Sequence, residues 1–262
     1  MTRTSLPAPH VLIVGGLGGS GTRAVAQALG NLGYAHGPAL NESEDCLAFT
    51  YLFVRTDWLS EPLPSLQQRL EVLRRWIETG HSPLAPDLDT LTSAIRRRTP
   101  PAGAGPFLIK EPNTHIFADD ILNAWSDCTF MFVHRHPLDM AFSKNINQLK
   151  RWGPALGIEP SAYEHTESAQ LALWIKSRKD QAQRMLDFPG RTSELDYDAF
   201  TQSPAQTLQA SLSELGIEVE AGAMNDACRH VHRPDSQGRS TRSDLSRLSP
   251  HLIETCRREG WL

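Results

Sequence analysis

The sequence predicts an α/β fold, a mainly parallel central sheet flanked by helices, and three observations carry that expectation. Short apolar runs alternate along the chain with segments of helical periodicity, the pattern of repeated strand–helix units. The first run, Val11-Leu12-Ile13-Val14, passes directly into a glycine-rich turn and then a helical segment from Ala24. Gly16, Lys110, Arg135 and Tyr197 each stand just after an expected strand. That is where the carboxyl ends of parallel strands gather ligand groups.

Each element has its own reason. Val11 to Val14 is β-branched and apolar, so it reads as a short buried strand. Leu32 to Pro38 is not an apolar strand, and Gly37 to Asp45 is a polar turn. Helical spacing then runs through Leu47, Tyr51, Leu52 and Val54, and again from Leu66 to Ile77, stopped by His81-Ser82-Pro83. A helix capped by Asp87 is expected to end at Arg96-Arg97-Arg98, where cations suit the helix dipole. Thr99 to Pro106 is a loop by composition and leads back to the sheet. Strands are expected at Phe107–Ile109, Thr129–Val133 and, more weakly, Thr192–Leu195. Helices are expected at Ile116–Trp125, from Pro137 on to Leu149, at Glu167–Leu186 and at Pro204–Leu215. Arg233 to Ser249 is polar and loop-like, and a last helix closes the chain.

Composition narrows the function classes. The 262 residues, 40% hydrophobic and 21% charged, suit one large α/β domain or two small ones. Because strands resume directly after the 99–106 loop, a single domain over residues 1–262 is expected. A net charge of −4 gives no case for nucleic acid, so anion affinity must come from local groups. Cys46, Cys128, Cys228 and Cys256 are scattered without metal-ligand spacing and read as reduced structural thiols. Pro7-Ala8-Pro9 interrupts any signal-peptide core, and no apolar run approaches the roughly 18 residues of a membrane span. A cytoplasmic protein without membrane partners is the expectation.

The glycine-rich turn invites a choice among anions. Gly15 to Arg23 holds five glycines in nine residues; glycine permits sharp turns and close ligand approach, and a helix start offers free amides. Read as a Walker A loop, Gly16 and Gly21 fit. Thr22 then replaces the lysine, and Arg23 replaces the Mg²⁺-binding hydroxyl. Read as a dinucleotide fingerprint, Gly16, Gly18 and Gly21 fit, but the required second strand ending in an acid is missing. A third template is a Ser-Gly-Thr loop, matched by Ser20-Gly21-Thr22-Arg23.

A second anchor follows the strongest strand. In Arg135-His136-Pro137-Leu138-Asp139-Met140-Ala141-Phe142-Ser143, the arginine leaves the strand and the serine is expected about two turns into the helix, so both can face one anion. Guanidinium gives bidentate phosphate contacts and hydroxyl adds a donor. Arg-x-Pro-x-Asp-x-x-x-Ser after a strand resembles the 3′-phosphate motif of sulfotransferases that use 3′-phosphoadenosine 5′-phosphosulfate (PAPS). Ser20-Gly21-Thr22 resembles their 5′-phosphosulfate loop, Asp196-Tyr197-Asp198 their Tyr-Glu-Asp segment beside adenine, and Ser236-Gln237-Gly238-Arg239 their late Gly/Arg segment. The matches come in family order over most of the chain, and the bacterial members with a Gly-Gly-Ser-Gly-Thr-Arg loop are most similar.

The resemblance implies a P-loop-like single domain and PAPS as co-substrate, with no metal. It implies PAPS contacts from Gly18, Gly19, Ser20, Gly21, Thr22, Arg23, Arg135, Ser143, Tyr197, Gly238 and Arg239. A small-molecule or glycan hydroxyl or amine would be the acceptor. Many members carry Lys or Arg immediately before the loop serine; here Gly19 stands there, so Arg23 or Lys110 must supply that charge. In-line sulfuryl transfer needs a general base and stabilisation of the leaving phosphate. Asp45 is the first candidate base and Glu111 the second; His115 is nearby but at a different offset from the histidine of cytosolic members. The catalytic set expected from sequence is therefore Asp45, Lys110 and Glu111. A small-molecule kinase and a non-catalytic nucleotide-binding protein are the competing readings. Acceptor-lining segments are expected at Asp45–Arg98 and Gln148–His165, with Trp58, Trp76 and Trp152 as candidate walls.

Overall fold

The structure is a computed structural model, and it describes residues 11–37, 39–56, 65–79 and 106–262. Five parallel strands form the sheet: β1 (Val11–Gly15), β2 (Ala35–His36), β3 (Phe107–Lys110), β4 (Cys128–His134) and β5 (Thr192–Asp196). Their order is β2-β3-β1-β4-β5. From β1 the chain goes first to the edge strand β2, returns to place β3 between the two, and then crosses to the other side of β1, so the topology reverses at the carboxyl end of β1. That reversal opens the crevice where ligands sit in open α/β sheets. Register sets the heights of the site residues: Val14 pairs with Lys110, Gly15 with Phe132, and His134 with Asp196. The residues that follow these strands therefore emerge along one edge.

Alternation along the strands builds two cores. Val11, Ile13, Phe107, Ile109, Phe130 and Phe132 pack on one face, Leu12, Val14, Leu108, Met131, Val133 and Leu195 on the other, as the two-residue period of a strand requires. The first face is covered by α2 (Leu47–Phe49), α3 (Leu66–Thr79) and α4 (Ala118–Ala124). α1 (Thr22–Asn31) lies on the second face. Beyond β4 come α5 (Pro137–Ala141), α6 (Asn147–Trp152) and the long α7 (Thr166–Asp187). After β5 the chain adds α8 (Tyr197–Gln202), α9 (Pro204–Glu214), α10 (Ala221–Cys228) and α11 (Pro250–Arg258). All four cysteines are free and buried. Among the described residues no helix is long and apolar enough to cross a membrane.

Several boundaries differ from the sequence expectation, each for a local reason. Ala35–His36 does form a strand. It is a short edge piece held by Ala35 N–H to Pro106 O and Gly37 N–H to Leu108 O, so it needs no apolar run. The helix expected from Pro137 to Leu149 is broken after Ala141. Ser143 Oγ accepts from Asn145 N–H, Asn145 Oδ1 accepts from Asn147 N–H, and the Gln170 amide donates to the carbonyls of Ala141 and Ser143. Polar side chains thus take backbone groups that helical bonds would otherwise use. The segment after Leu47 finishes as a π-turn over Thr50–Val54, and Pro112–Phe117 is a 3₁₀ turn before α4. α10 was not legible: its Ala-Gly-Ala start shows little periodicity, and Glu220 caps it by accepting from Gly222 and Ala223 N–H. The Asp87–Arg98 helix, the Arg96–Arg98 cluster and Trp58 lie outside the described residues.

Candidate active site

The glycine-rich turn is shaped by close neighbours. A Cβ on Gly16 would fall 2.2 Å from the carbonyl oxygen of Val133, and one on Gly21 would fall 2.1 Å from the ring of Tyr197. Gly19 and Gly21 have φ of +99° and +101°, values that side chains disfavour. The conformation itself therefore explains why glycine, rather than a cation, precedes Ser20. Gly21 is the residue before α1, and no side chain caps that helix. Its first amides and the positive end of its dipole are left for an anion. Ser20 Oγ is buried and has no hydrogen-bond partner, which a phosphate-like oxygen would satisfy.

Arg135 emerges from β4 beside this loop. It is 2% exposed; Nη1 donates to Ser236 Oγ at 3.1 Å and, at 3.5 Å, to Gly19 O, and Nη2 reaches Asp139 Oδ2 at 3.4 Å. Its Nε is buried with no hydrogen-bond partner, and its guanidinium lies 5.7 Å from the centre of the Tyr197 ring. Asp139 is the tie to the chain's late segment, accepting from Gly238 N–H, Ser240 N–H and Ser240 Oγ. Burial works against its charge, but these bonds and the Arg135 charge prevail and hold its carboxyl below the usual range. Ser143 is not two turns into a helix; it lies just past the end of α5. Even there its Oγ would be 3.3 Å from a Cβ on Gly19, so Arg135 and Ser143 both flank that glycine. Gly238 is held on Asp139, and Arg239 turns its Nε back to Ser236 O.

The candidate catalytic residues separate in space. Lys110 is 3% exposed, and its Nζ donates to Asp45 Oδ1 at 2.5 Å and Ser43 O at 2.9 Å. Asp45 Oδ2 accepts from Asn41 Nδ2, in a turn whose tip Ser43 also accepts from Arg23 Nη2. Arg23 and Lys110 thus converge on one short turn. A cavity of about 630 Å³ is lined by Gly19, Thr22, Asp45, Lys110, Arg135 and Tyr197, and also by Asn31, His230 and His232 among others. Glu111 does not line it. Both its oxygens accept from Asn113, through the backbone N–H and Nδ2. The ion partner of Lys110 is Asp45, not the adjacent Glu111. His115 is buried; its Nδ1–H donates to Pro112 O, and burial pushes its pKa down to about 4.

Glu111 leaves a measurable signature. Burial, with the Asp45 charge adding, outweighs the Asn113 hydrogen bonds and the Lys110 charge and raises its pKa from 4.5 to about 7. The folded state therefore holds this proton across a window in which the unfolded chain has lost it. Its contribution is full below about pH 4.5 and is lost as pH rises through 7, about 3 kcal/mol in all. Chemical denaturation from pH 4.5 to 8 should show this decline in the wild type and a flatter profile in Glu111→Gln. Parallel profiles would remove the assignment.

Comparison with known proteins gives the family. A model of the sulfotransferase family matches residues 9–221. This chain belongs to the sulfotransferase family. It is an enzyme of sulfuryl transfer, and the kinase reading falls away. Among solved structures, the chain is similar to a sulfotransferase from Mycobacterium avium (11% identity, 98% of this chain and 78% of that one, TM-score 0.48). It is also similar to one from Mycobacterium tuberculosis (13%, 99% and 79%, TM-score 0.49) and one from Alicyclobacillus acidocaldarius (15%, 95% and 90%, TM-score 0.46). No curated protein sequence matches the chain. For the enzyme's site, sequence reasoning quotes Asp139 and Ser236 within motifs without a role of their own and misses the contact of Gln148 with the loop. The partners Gly238, Arg135 and Gly18 are about 100 residues away or more, and only the fold brings them together.

Proposed function

We propose that the chain is one domain over residues 1–262 that transfers the sulfuryl group of PAPS to a hydroxyl or amine of a small-molecule acceptor. Supporting the donor are two buried polar atoms without a hydrogen-bond partner, Ser20 Oγ and Arg135 Nε, on residues that meet at Gly19; Nε has the Asp198 carboxylate near it, at 3.9 Å. Ser20, Gly21 and Thr22 hold the 5′ end with their amides and hydroxyls, with Gly18 and Gly19 shaping the turn. Arg135 and Ser143 hold the 3′-phosphate, and Tyr197 faces the adenine. Gly238 and Arg239 close the late segment over Arg135 through Asp139. PAPS supplies the sulfuryl group and a phosphate leaving group. Asp45 takes the acceptor proton on a carboxylate oxygen, and Lys110 and Arg23 neutralise charge beside the loop.

Asp45 is preferred over Glu111 because it lines the cavity and Glu111 does not. The acceptor hydroxyl or amine meets Asp45 in this cavity, which Asn145 also lines.

The reading is tested by turnover. Purified enzyme should bind adenosine 3′,5′-bisphosphate in EDTA, and a panel of alcohols and phenols with labelled PAPS should yield a sulfated product at the same rate with and without Mg²⁺. Arg23, standing where a metal-binding hydroxyl would be, motivates that expectation. Activity lost in EDTA and restored by Mg²⁺ would count against it. Binding without turnover on any acceptor would support a nucleotide-binding role instead.

A further inference from the structure

The amide of Gly18 sits in an anion-binding loop, yet it donates inward, to Gln148 Oε1 at 2.6 Å. Gln148 lies on α6, 130 residues away in sequence, and is 9% exposed. Its Nε2 donates to Gly16 O at 3.4 Å and to Asn113 Oδ1 at 3.0 Å. Those two acceptors fix the amide's orientation: flipped, it would set oxygen against two oxygens and N–H against N–H. One side chain thus grips the loop by an amide and a carbonyl, two residues apart.

The grip is braced from behind. Asn113 Oδ1 also accepts from Trp152 Nε1 at 2.8 Å, one turn along α6. Asn113 Nδ2 and N–H are held by Glu111 at 2.8 and 2.5 Å. A continuous polar chain therefore runs from Glu111 through Asn113 and Gln148 to Gly16 and Gly18, with each link's donors and acceptors matched. The approach of this side to the loop is close: a Cβ on Gly18 would fall 2.6 Å from Asn145 Nδ2.

We propose that Gln148 is a positioning residue for sulfuryl transfer, setting the Gly16–Gly19 turn so that Ser20, Gly21 and Thr22 meet the 5′ end of the donor. The inference rests on the PAPS reading above and deepens it. Gln148 acts through the loop, so its removal should disturb the 5′ end and spare the 3′-phosphate held by Arg135.

The test compares adenosine 3′,5′-bisphosphate with adenosine 3′-monophosphate, which lacks the 5′ group, by calorimetry on the full chain. Wild type should favour the bisphosphate; wild type that binds neither would remove the donor reading itself, a result separate from those below. Gln148→Met, which keeps volume and loses all three hydrogen bonds, should weaken the bisphosphate about tenfold or more and leave the monophosphate nearly unchanged. Equal losses for both ligands, or none, overturn the positioning role. Gln148→Glu is the second variant, in case the first does not fold. It keeps an acceptor for Gly18 but faces Gly16 O and Asn113 Oδ1 with an oxygen. Its bisphosphate affinity should recover as pH falls and the introduced carboxyl takes a proton it can donate. Wild type should show no such recovery. A Gln148→Glu profile parallel to wild type overturns the proposal as well. The charged groups around this chain are Glu111, with Asp45 and Lys110 beside it, so both profiles are read against the Glu111 titration.

Discussion

Asp45→Asn should lower kcat by about 10²–10⁴, the range by which a positioned base accelerates proton transfer. The structure makes this a demanding substitution to interpret, and the controls follow from the hydrogen bonds. Asp45 Oδ1 meets Lys110 Nζ and Oδ2 meets Asn41 Nδ2, both donors. An amide can offer its oxygen to one and must set N–H against the other. Some of the effect would then be a displaced Lys110. Lys110→Ala isolates that part: if Lys110 acts on developing charge, kcat should fall roughly a hundredfold with modest change in adenosine 3′,5′-bisphosphate affinity. Acidic phenols, which need little help in losing a proton, should suffer less than alcohols in Asp45→Asn. In Lys110→Ala the two acceptor classes should fall alike. Near wild-type turnover by Asp45→Asn with a dead Glu111→Gln would transfer the base to Glu111.

The parts of the fold visible in the sequence are those governed by local chemistry. β1, β3 and β4 are short apolar runs whose neighbours are turn residues, and α7 has enough length to show its period. The edge strand Ala35–His36 was invisible because an edge needs only two backbone bonds from Pro106 and Leu108, which no side chain announces. The break after Ala141 was invisible because Gln170, from α7, draws off the carbonyls. The site divides in the same way. Ser20, Arg135 and Tyr197 were found because each follows a strand with a distinctive residue. Gln148 and Asn113 were missed because each is an ordinary polar residue whose partner lies on another element. Glu111 and Asp45 looked equivalent in sequence. Only the cavity, lined by Asp45 and not by Glu111, tells them apart.

Arg135→Ala should weaken PAPS by about 2–3 kcal/mol or more, the scale of a lost charge-assisted hydrogen-bonded pair. Adenosine 5′-phosphosulfate, which has no 3′-phosphate, should lose far less. The comparison matters because Arg135 is also structural: it bonds Ser236, approaches Gly19 O and lies beside the charge of Asp139. Removing it would loosen the late segment, a cost shared by every ligand. Asp139 limits that cost, since it keeps three donors from Gly238 and Ser240. Arg135→Lys separates the two contributions further. An ammonium retains the positive charge beside Asp139 but cannot reproduce the planar fork, so it should restore stability more fully than it restores PAPS affinity. Loss by the same factor for PAPS and adenosine 5′-phosphosulfate would mean that Arg135 only braces the loop. The 3′-phosphate would then have to be sought at Arg239, whose guanidinium is held against Ser236 O on the same side of the site.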